Sequence, residues 1–368
     1  MRLVPLQHLY GGEIIAKDIF DENGNLLLAK NTKFKNFYRF KLEERGISRV
    51  YITDYFSEGI EVKDVIPDKI RVQSLKSIKD MVSLFKSTQK IKIEKIQNAA
   101  MEIVDSILEN KELLYNVADL KTKDNYTYLH CINVSILCVM VGIKMGANRE
   151  YLEKLAIGGI LHDFGKLLIP DEILNKPDKL SNEEYEIIKR HTIIGYEILK
   201  ESSMLTPISK VMILLHHERI DGSGYPLGVS KDNIHESARI CAICDVFDAM
   251  TSTRVYKKAF SVVDTLSEME EMTKNKLDAD IFKVFRSIIS YYPVGSTVLL
   301  NDNTIAIVEQ NRPDYIDAPI VRVIFDLNTQ QEVFKQVDLH IEKNLEIEKE
   351  IVLEEYIDNS CIIKAKEG

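Results

Sequence analysis

The sequence predicts a mainly α-helical protein with a small α+β unit at its N-terminus and a small β-rich appendage at its C-terminus. Three observations support this prediction. Apolar residues recur at spacings of three and four along the middle of the chain, as one buried face of a helix requires. Near the start, a turn signal at Asn23-Gly24 separates two apolar runs. After "YYPVGS", β-rich runs replace the helical pattern.

The N-terminal unit is predicted over residues 1–60. The run "EIIAKDIFDENGNLLLA" is typical of a hairpin, and "YRFKLEERGISRVYI" predicts a helix, a stop at Gly46 and a strand. Residues 61–118 are predicted to be connecting amphipathic helices. Over residues 68–118 these helices could form a homodimer seam or carry a signal, or they could simply pack on the next domain, and the pattern leaves both possibilities open.

Residues 119–290 are predicted to be an almost wholly helical domain with polar interruptions. The longest interruption, "HHERIDGSGYPLGVSKDNIHES", exceeds an ordinary connection, which indicates an ordered and functional loop. Residues 291–368 are predicted to be a β-rich extension, with a turn at residues 301–303 between two strands. The length of 368 residues agrees with two or three such units.

Composition limits the possible partners and compartments. The formal net charge of -9 gives no basic footprint for duplex nucleic acid. The opening residues lack a long apolar core behind a basic start, and we find no stretch approaching the roughly 20 apolar residues that span a bilayer. Five cysteines, mostly in apolar segments, favour buried reduced thiols. We therefore predict a cytoplasmic protein without membrane insertion.

Histidines cluster in the helical domain. Five of the eight lie in "YLHCINV", "ILHDFGK", "IKRHTIIG" and "LLHHERIDG". One such histidine alone is typical of a hydrogen-bonded core residue, but five together with carboxylates favour a metal site. Adjacent helical residues point about 100° apart, so ligands from several helices must converge. Imidazole and carboxylate without thiolate suit Mn, Fe, Ni or Zn.

Two further acids lie in "CAICDVFDAMTS". Asp245 and Asp248 are three residues apart and so lie near one another on a helix. Burying Asp245 without a cation would be costly, which favours a ligand role for it. Asp248 could orient another residue, cap a helix or bond a neighbouring backbone group.

The motifs "YTYLHCINV", "HDFGKLLIPDEIL", "HHERIDGSGYPLG" and "DVFDAMTSTRVYKKAF" together resemble the HD-GYP family of the HD phosphohydrolase superfamily. The resemblance covers about residues 119–290. It implies a helical HD-type catalytic domain and a metal-dependent phosphodiesterase that hydrolyses cyclic di-GMP to pGpG, with further hydrolysis to GMP left open. It also implies two divalent transition metals, Fe or Mn, and a hydroxide between them that attacks the phosphodiester.

The resemblance assigns the site residues. One metal would be held by His130, His162, Asp163 and Asp245, and the other by Asp163, His191, His216 and His217. Asp163 then bridges both, and Lys166 would orient the attacking water and stabilise phosphoryl charge. Arg254 and Lys257, one helical turn apart, would bind phosphate, and Tyr225 would stack on a guanine.

Other functions remain open. The same metals could serve another cyclic dinucleotide or a mononucleotide phosphate, and the chain could be a non-catalytic sensor of the nucleotide. A di-iron oxygenase is disfavoured, because Lys166, Arg254 and Lys257 suit an anionic phosphate substrate. Some relatives carry a glutamate four residues before the first ligand histidine, where it helps to bind a third metal. Tyr126 occupies that position here, so no third ion is expected.

Overall fold

The structure is a computed structural model that describes residues 1–21, 24–110, 114–116, 126–174, 176, 178–252, 260–313 and 315–357. The chain divides into two compact units, one comprising Met1–Asp64, Leu114–Asp124 and Ile289–Gly368, and the other Val65–Leu113 and Asn125–Ile288. The N-terminal and C-terminal segments thus share one unit, and the connecting helices belong with the helical domain. The boundaries of the four predicted segments stay a prediction.

The first unit is built from small antiparallel sheets. Its elements are β1 (Arg2–Pro5), β2 (Ile14–Ile15), β3 (Ile19–Phe20), β4 (Leu26–Leu28), α1 (Asn36–Glu44), β5 (Arg49–Thr53), β6 (Thr297–Leu300), β7 (Thr304–Gln310), β8 (Ile320–Asp326), β9 (Gln331–Asp338) and β10 (Ile347–Glu350). The sheet orders are β1-β5-β2, β3-β4 and β10-β6-β7-β8-β9. The antiparallel pairing of the two predicted apolar runs as β3 and β4, the helix before Gly46 and the β6–β7 pair are confirmed. Asn23 of the predicted turn lies outside the described residues. Strands β9 and β10 were not predicted.

The second unit is helical, as the sequence predicts. Its helices are α2 (Asp68–Thr88), α3 (Glu94–Glu109), α4 (Tyr126–Lys144), α5 (Arg149–Leu161), α6 (Asp171–Leu174), α7 (Asn182–Lys189), α8 (His191–Leu199), α9 (Pro207–Leu215), α10 (Glu236–Thr251), α11 (Val262–Met272) and α12 (Ala279–Arg286). Local signals set several of their starts: Asn148 caps α5, Ser181 and Glu184 form a capping box on α7, and Thr206 caps α9.

Helices α4 and α5 approach one another closely in the core of this unit. Ser135 on α4 donates a hydrogen bond to the carbonyl of Ala156 on α5 at 2.9 Å. A Cβ atom added to Gly159 would lie 2.6 Å from the Cα of Ser135, so only glycine allows this approach. The contact brings His130, on α4, to the same place as His162, which directly follows α5.

One segment of α4 contradicts the expectation that no stretch resembles a membrane span. Thr127–Lys144 is 18 residues long with a mean hydropathy of 1.5, so its length and composition would allow it to cross a membrane. In the structure, 72% of this window is buried inside the protein. The apolarity of α4 is therefore explained by its place in the core of the helical unit.

The apolar faces of α2 and α3 are covered within the helical unit. Ile78, Met81 and Val82 on α2 are at most 3% exposed, and Ile103 and Val104 on α3 are fully buried. These side chains were the reason for expecting a dimer seam over residues 68–118. Their burial favours the alternative that the helices pack on their own domain, and homodimer formation stays a prediction.

Four cysteines are buried free thiols, as predicted: Cys131, Cys138, Cys241 and Cys244. Burial is the main reason why the pKa of Cys131 and Cys138 lies well above its usual value. Among the described residues, no cysteine joins a group able to hold a metal. Cys361 lies outside the described residues.

Candidate metal centre

The first of two groups of metal-binding side chains joins three helices of the helical unit. It consists of His130 on α4, His162 after α5 and Asp245 on α10, all buried and with one potential ligand atom each within 4.8 Å of the others. His130 Nε2 lies 3.0 Å from Asp245 Oδ1 and 3.3 Å from His162 Nε2. These side chains come from distant positions in the sequence and converge as predicted.

The second group lies around the ends of α8 and α9. It consists of Asp163, His191, His216 and His217, and their potential ligand atoms lie within 4.8 Å of one another. His191 is the first residue of α8, and His216 and His217 directly follow α9. His191 Nε2 lies 3.2 Å from Asp163 Oδ1 and 3.3 Å from His216 Nε2.

Asp163 faces both groups. Its Oδ2 atom lies 3.6 Å from His130 Nε2 and 3.5 Å from His162 Nε2, while its Oδ1 atom faces His191. Lys166 Nζ donates a hydrogen bond to Oδ2 at 2.7 Å. The carboxylate is only 1% exposed, so the surrounding groups determine its charge state. This position between two histidine sets is the one that a bridging ligand requires.

Hydrogen bonds fix the orientation of the imidazole rings. The Nδ1 atoms of His162, His191 and His216 face backbone carbonyls at 2.7 to 3.1 Å, where an Nδ1–H group donates. In the neutral rings, the Nε2 atoms are then unprotonated and point into the centre. Since the His191 and His216 Nε2 atoms face each other at 3.3 Å, their lone pairs repel unless a cation lies between or beside them.

Two buried polar atoms at the centre also lack hydrogen-bond partners within the described residues. They are Asp163 Oδ1 and His217 Nε2. Buried polar atoms are nearly always satisfied in folded proteins, so these two indicate a missing ligand. Imidazole nitrogen with carboxylate oxygen is a donor set that suits divalent transition ions. The residues present therefore fit a metal centre.

Burial and charge set the protonation states of most of these residues. Burial lowers the pKa of His162 to about 3 and lowers the pKa of His191 and His217, so these rings are neutral at pH 7. Burial alone would raise the pKa of Asp163, but Lys166 and the neighbouring histidines together outweigh burial and hold the pKa well below its usual value. Neutral imidazole and ionised carboxylate are the forms that bind metals.

His130 is the exception. Burial lowers its pKa, but hydrogen bonds to Asp245 and Asp248 outweigh burial and raise the pKa to about 9. The same His130 contact helps to hold the pKa of Asp245 well below its usual value, against the effect of burial. A metal bound at this group must therefore displace a proton from His130.

The loop after α9 carries Tyr225 beside the second group. The Tyr225 ring stacks on His217 with centroids 4.7 Å apart and planes 28° apart. Lys189 Nζ lies 5.7 Å from the centre of the same ring. A Cβ atom at Gly224 would lie 2.4 Å from the Cα of Glu218, so glycine is needed there. The aromatic residue predicted from the GYP motif thus lies against the histidines.

Glu218 holds this loop in place. Its carboxylate accepts hydrogen bonds from the backbone N–H groups of Leu227, Gly228 and Val229 at 2.6, 3.0 and 3.2 Å. The side chain is only 2% exposed. Glu218 lies in the motif "HHERIDGSGYPLG", but no role was predicted for it. The sequence carries a signal for this role, because a glutamate beside a long glycine-containing loop can accept hydrogen bonds from the backbone N–H groups of that loop.

Asp248 orients His130. Its Oδ2 atom lies 2.8 Å from His130 Nδ1, and its Oδ1 atom accepts a hydrogen bond from Asn133 Nδ2 at 2.9 Å. Of the roles left open for Asp248, orienting another residue is the one that these contacts show, although it also accepts a hydrogen bond from the Ser252 hydroxyl. Arg254 and Lys257, the predicted phosphate-binding residues, lie outside the described residues.

Comparisons with known proteins agree with this geometry. An HD domain family model matches residues 102–281. The chain is 33% identical over 260 residues to a cyclic di-GMP phosphodiesterase of Pseudomonas aeruginosa, covering 70% of this chain and 63% of that protein. It is 36% identical over 211 residues to 3'3'-cGAMP-specific phosphodiesterase 1 of Vibrio cholerae, covering 56% of this chain and 45% of that protein. The chain thus matches less than two thirds of the length of each relative.

A solved structure shares the fold. An HDG"Y"P protein from Bdellovibrio bacteriovorus superposes with a TM-score of 0.51 at 17% identity, over 78% of this chain and 98% of that chain. At this identity the likeness concerns the fold alone. Residues 102–281, which match the family model and carry the ordered motifs and the converging histidines and aspartates, therefore form a domain of the HD domain family, in its HD-GYP form.

Proposed function

We propose that this chain is a metal-dependent phosphodiesterase that hydrolyses cyclic di-GMP to the linear dinucleotide pGpG, with GMP as a further product to be tested. The observation that carries the proposal is the position of Asp163 between two groups of buried histidines whose free nitrogens converge. The relative from Pseudomonas aeruginosa, which bears the name of this activity, supports the choice of substrate.

Two divalent ions are part of the proposal, one at each group, with Asp163 as the shared ligand. The first would be held by His130, His162, Asp163 and Asp245, and the second by Asp163, His191, His216 and His217. Fe or Mn is proposed, because both suit nitrogen and oxygen ligands without thiolate. When bound, such ions supply Lewis acidity that neutralises phosphodiester charge and provides hydroxide at neutral pH.

The side chains around the centre perform the remaining tasks. Lys166, which donates to Asp163 and so lies beside the metal-binding groups, is proposed to orient the attacking water and to stabilise negative charge developing on the phosphoryl oxygens. One face of the Tyr225 ring stacks on His217, and the opposite face is proposed to stack on a guanine. Arg254 and Lys257 are proposed to bind phosphate because their spacing lets both face one anion.

The test is anaerobic incubation of the protein, loaded with Mn or Fe(II), with cyclic di-GMP, while products are followed by chromatography and metal content is measured. We expect pGpG or GMP to form, with about two metals per chain. The Asp163→Asn variant should lose both turnover and metal. Full metal occupancy with intact cyclic di-GMP would overturn the proposed substrate.

A second candidate substrate is 3'3'-cGAMP. The observation that favours it is the 36% identity to the Vibrio cholerae enzyme named for this nucleotide. Tyr225 can stack on either purine, because stacking does not read the base edge. Parallel assays with both nucleotides decide between them. A sensor without turnover remains the alternative from another class, and it predicts that Asp163→Asn leaves the output of the protein intact.

Location and partners complete the proposal. We propose a cytoplasmic enzyme that acts on a small anionic nucleotide and not on duplex nucleic acid, as the net charge of -9 suggests. Burial of most of Thr127–Lys144 supports the absence of membrane insertion. A homodimer through residues 68–118 is not part of the proposal, because the apolar side chains that suggested it are buried within the helical unit.

A further inference from the structure

We propose that Arg71, on helix α2, is a positioning residue for the first metal-binding group, acting on His130 through Asn133 and Asp248. The inference rests on the proposed metal-dependent function. Arg71 precedes the first metal-binding histidine by 59 residues in sequence, and no motif points to it. Its role follows from a continuous series of hydrogen bonds that begins on α2 and ends at a ring facing the centre.

Each hydrogen bond in this series is short. Arg71 Nη1 donates to Asn133 Oδ1 at 2.6 Å. Asn133 Nδ2 donates to Asp248 Oδ1 at 2.9 Å, and Asp248 Oδ2 lies 2.8 Å from His130 Nδ1. On its other side, His130 Nε2 faces Asp245 at 3.0 Å. Asn133, Asp248 and His130 are at most 8% exposed, so water competes little for these bonds.

The chemistry of the groups gives the series one direction. A guanidinium has only donors and an ionised carboxylate only acceptors, so the Asn133 amide between them can satisfy both in a single orientation. Arg71 fixes that orientation and keeps the amide NH2 toward Asp248. Asp248 in turn accepts from His130 Nδ1, so Nε2 is the His130 atom that faces Asp245 and His162 and that is placed to bind a metal.

The orientation of Asp248 depends on its hydrogen-bond partners. The carboxylate must stay in one rotamer to hold the His130 ring. Asn133 anchors it at Oδ1 at 2.9 Å, while His130 at 2.8 Å and, at a longer 3.3 Å, the Ser252 hydroxyl contact Oδ2. Partners of metal-binding histidines change metal affinity by 10–100-fold when removed. Arg71 acts two hydrogen bonds further away than Asp248, so we expect about a tenfold effect, at the low end of that range.

Arg149 offers a matched control. It also ties one helix of this unit to another, because it lies on α5 and pairs with Asp105 on α3 at 2.6 Å. It adds a second contact to Glu153 on its own helix. Neither partner belongs to the two metal-binding groups or to the series that ends at His130. If Arg71 were merely a tie between helices, replacing either arginine by methionine should have the same kind of effect.

The test measures Mn(II) binding to the full chain by titration calorimetry, together with thermal unfolding of the metal-free protein. Arg71→Met should weaken one of two Mn(II) sites about tenfold and leave the other within twofold. Arg71→Lys, which retains a donor for Asn133, should restore most of the affinity. Arg149→Met should leave both sites unchanged. Asn133→Ala should weaken the same site, and adding Arg71→Met to it should cause little further loss, since both act through Asp248.

The outcomes separate this inference from the proposed function. An unchanged Mn(II) isotherm in folded Arg71→Met, or additive losses in the double variant, overturns the positioning role and leaves the proposed function standing. Two Mn(II) sites without turnover of cyclic di-GMP overturn the proposed substrate, while the role of Arg71 is still decided by the isotherms. A wild-type protein that binds no divalent metal overturns both.

Discussion

Replacement of Glu218 by glutamine should weaken substrate binding without removing the metals. The carboxylate receives three backbone N–H groups, two at Oε1 and one at Oε2. Glutamine has one acceptor oxygen, so its NH2 group would face the Val229 N–H as donor against donor. A hydrogen bond to a charged group contributes about 1.5–3 kcal/mol, and the two bonds that remain lose their charge assistance.

The loop loses at least one such bond, or about 2 kcal/mol, before relaxation. Leu227 is 60% exposed, so water can reach this part of the loop and replace some of the loss. We therefore expect the KM for cyclic di-GMP to rise about tenfold, which corresponds to about 1.4 kcal/mol. The value of kcat should change less than about threefold, because the side chain contacts none of the predicted ligands through its carboxylate.

The assay is steady-state hydrolysis by Mn-loaded protein, with metal content measured on the same sample. Glu236→Gln is the control, since Glu236 is an exposed acid whose carboxylate accepts a hydrogen bond from the Tyr151 hydroxyl at 3.3 Å. Unchanged KM in a folded Glu218→Gln variant refutes the view that this carboxylate positions the Tyr225 loop. A parallel loss of metal would show that Glu218 acts instead on the neighbouring His217.

Three further outcomes are expected. Gly159→Ala should lower the free energy of unfolding by about 1–3 kcal/mol, measured by urea denaturation, because the new Cβ would lie 2.6 Å from the Cα of Ser135. Below pH 9, Mn(II) affinity should rise with pH, because the raised pKa of His130 means that metal binding displaces its proton. Calorimetry at pH 7 in two buffers of different ionisation enthalpy measures the number of protons released, and a release of zero protons would contradict this account. Lys166→Met should reduce kcat about 100-fold while metal content is retained, and an unchanged kcat would remove Lys166 from the mechanism.

The pKa values of the metal-free centre give stability a pH dependence of opposite sign for two histidines. The pKa of His130 is raised from 6.5 to about 9, so its contribution is full below pH 6.5 and is lost as pH rises through 9. The pKa of His162 is lowered to about 3, so its neutral ring favours the folded state above pH 6.5, and this advantage falls as pH drops toward 3. For these two groups together, stability is highest near pH 6.5.

The residues of the candidate centre could be found from sequence because each lies in a compact motif. His162, Asp163 and Lys166 lie within five consecutive positions, and His216 and His217 are adjacent. The fold class followed from helical periodicity and from the change of pattern after "YYPVGS". Strands β9 and β10, at the two edges of the five-stranded sheet, could not be recognised in the same way, because most of their residues are exposed and buried and exposed positions do not alternate.

Contacts made by residues outside any motif were beyond the reach of sequence reasoning. Arg71 looks like any charged residue on an amphipathic helix, and only the packing of α2 and α4 brings it to Asn133. The apolar faces of α2 and α3 could equally have covered a second subunit. Composition alone is also ambiguous for Thr127–Lys144, because a helix buried in the core of a protein can have the same apolar composition as a membrane-spanning helix.

The metal centre and the fold must be coupled, because the groups that bind the ions are unfavourable neighbours without them. Two carboxylates and several imidazole lone pairs converge in a buried volume, where the unpartnered Asp163 Oδ1 and His217 Nε2 incur a desolvation cost. Lys166 and protonated His130 balance the two carboxylate charges, but they leave the converging lone pairs and these two buried atoms without compensation. Ions that bind the folded state alone shift the folding equilibrium in its favour. The burial that prepares these ligands for metals therefore also makes the folded state depend on metals for part of its stability.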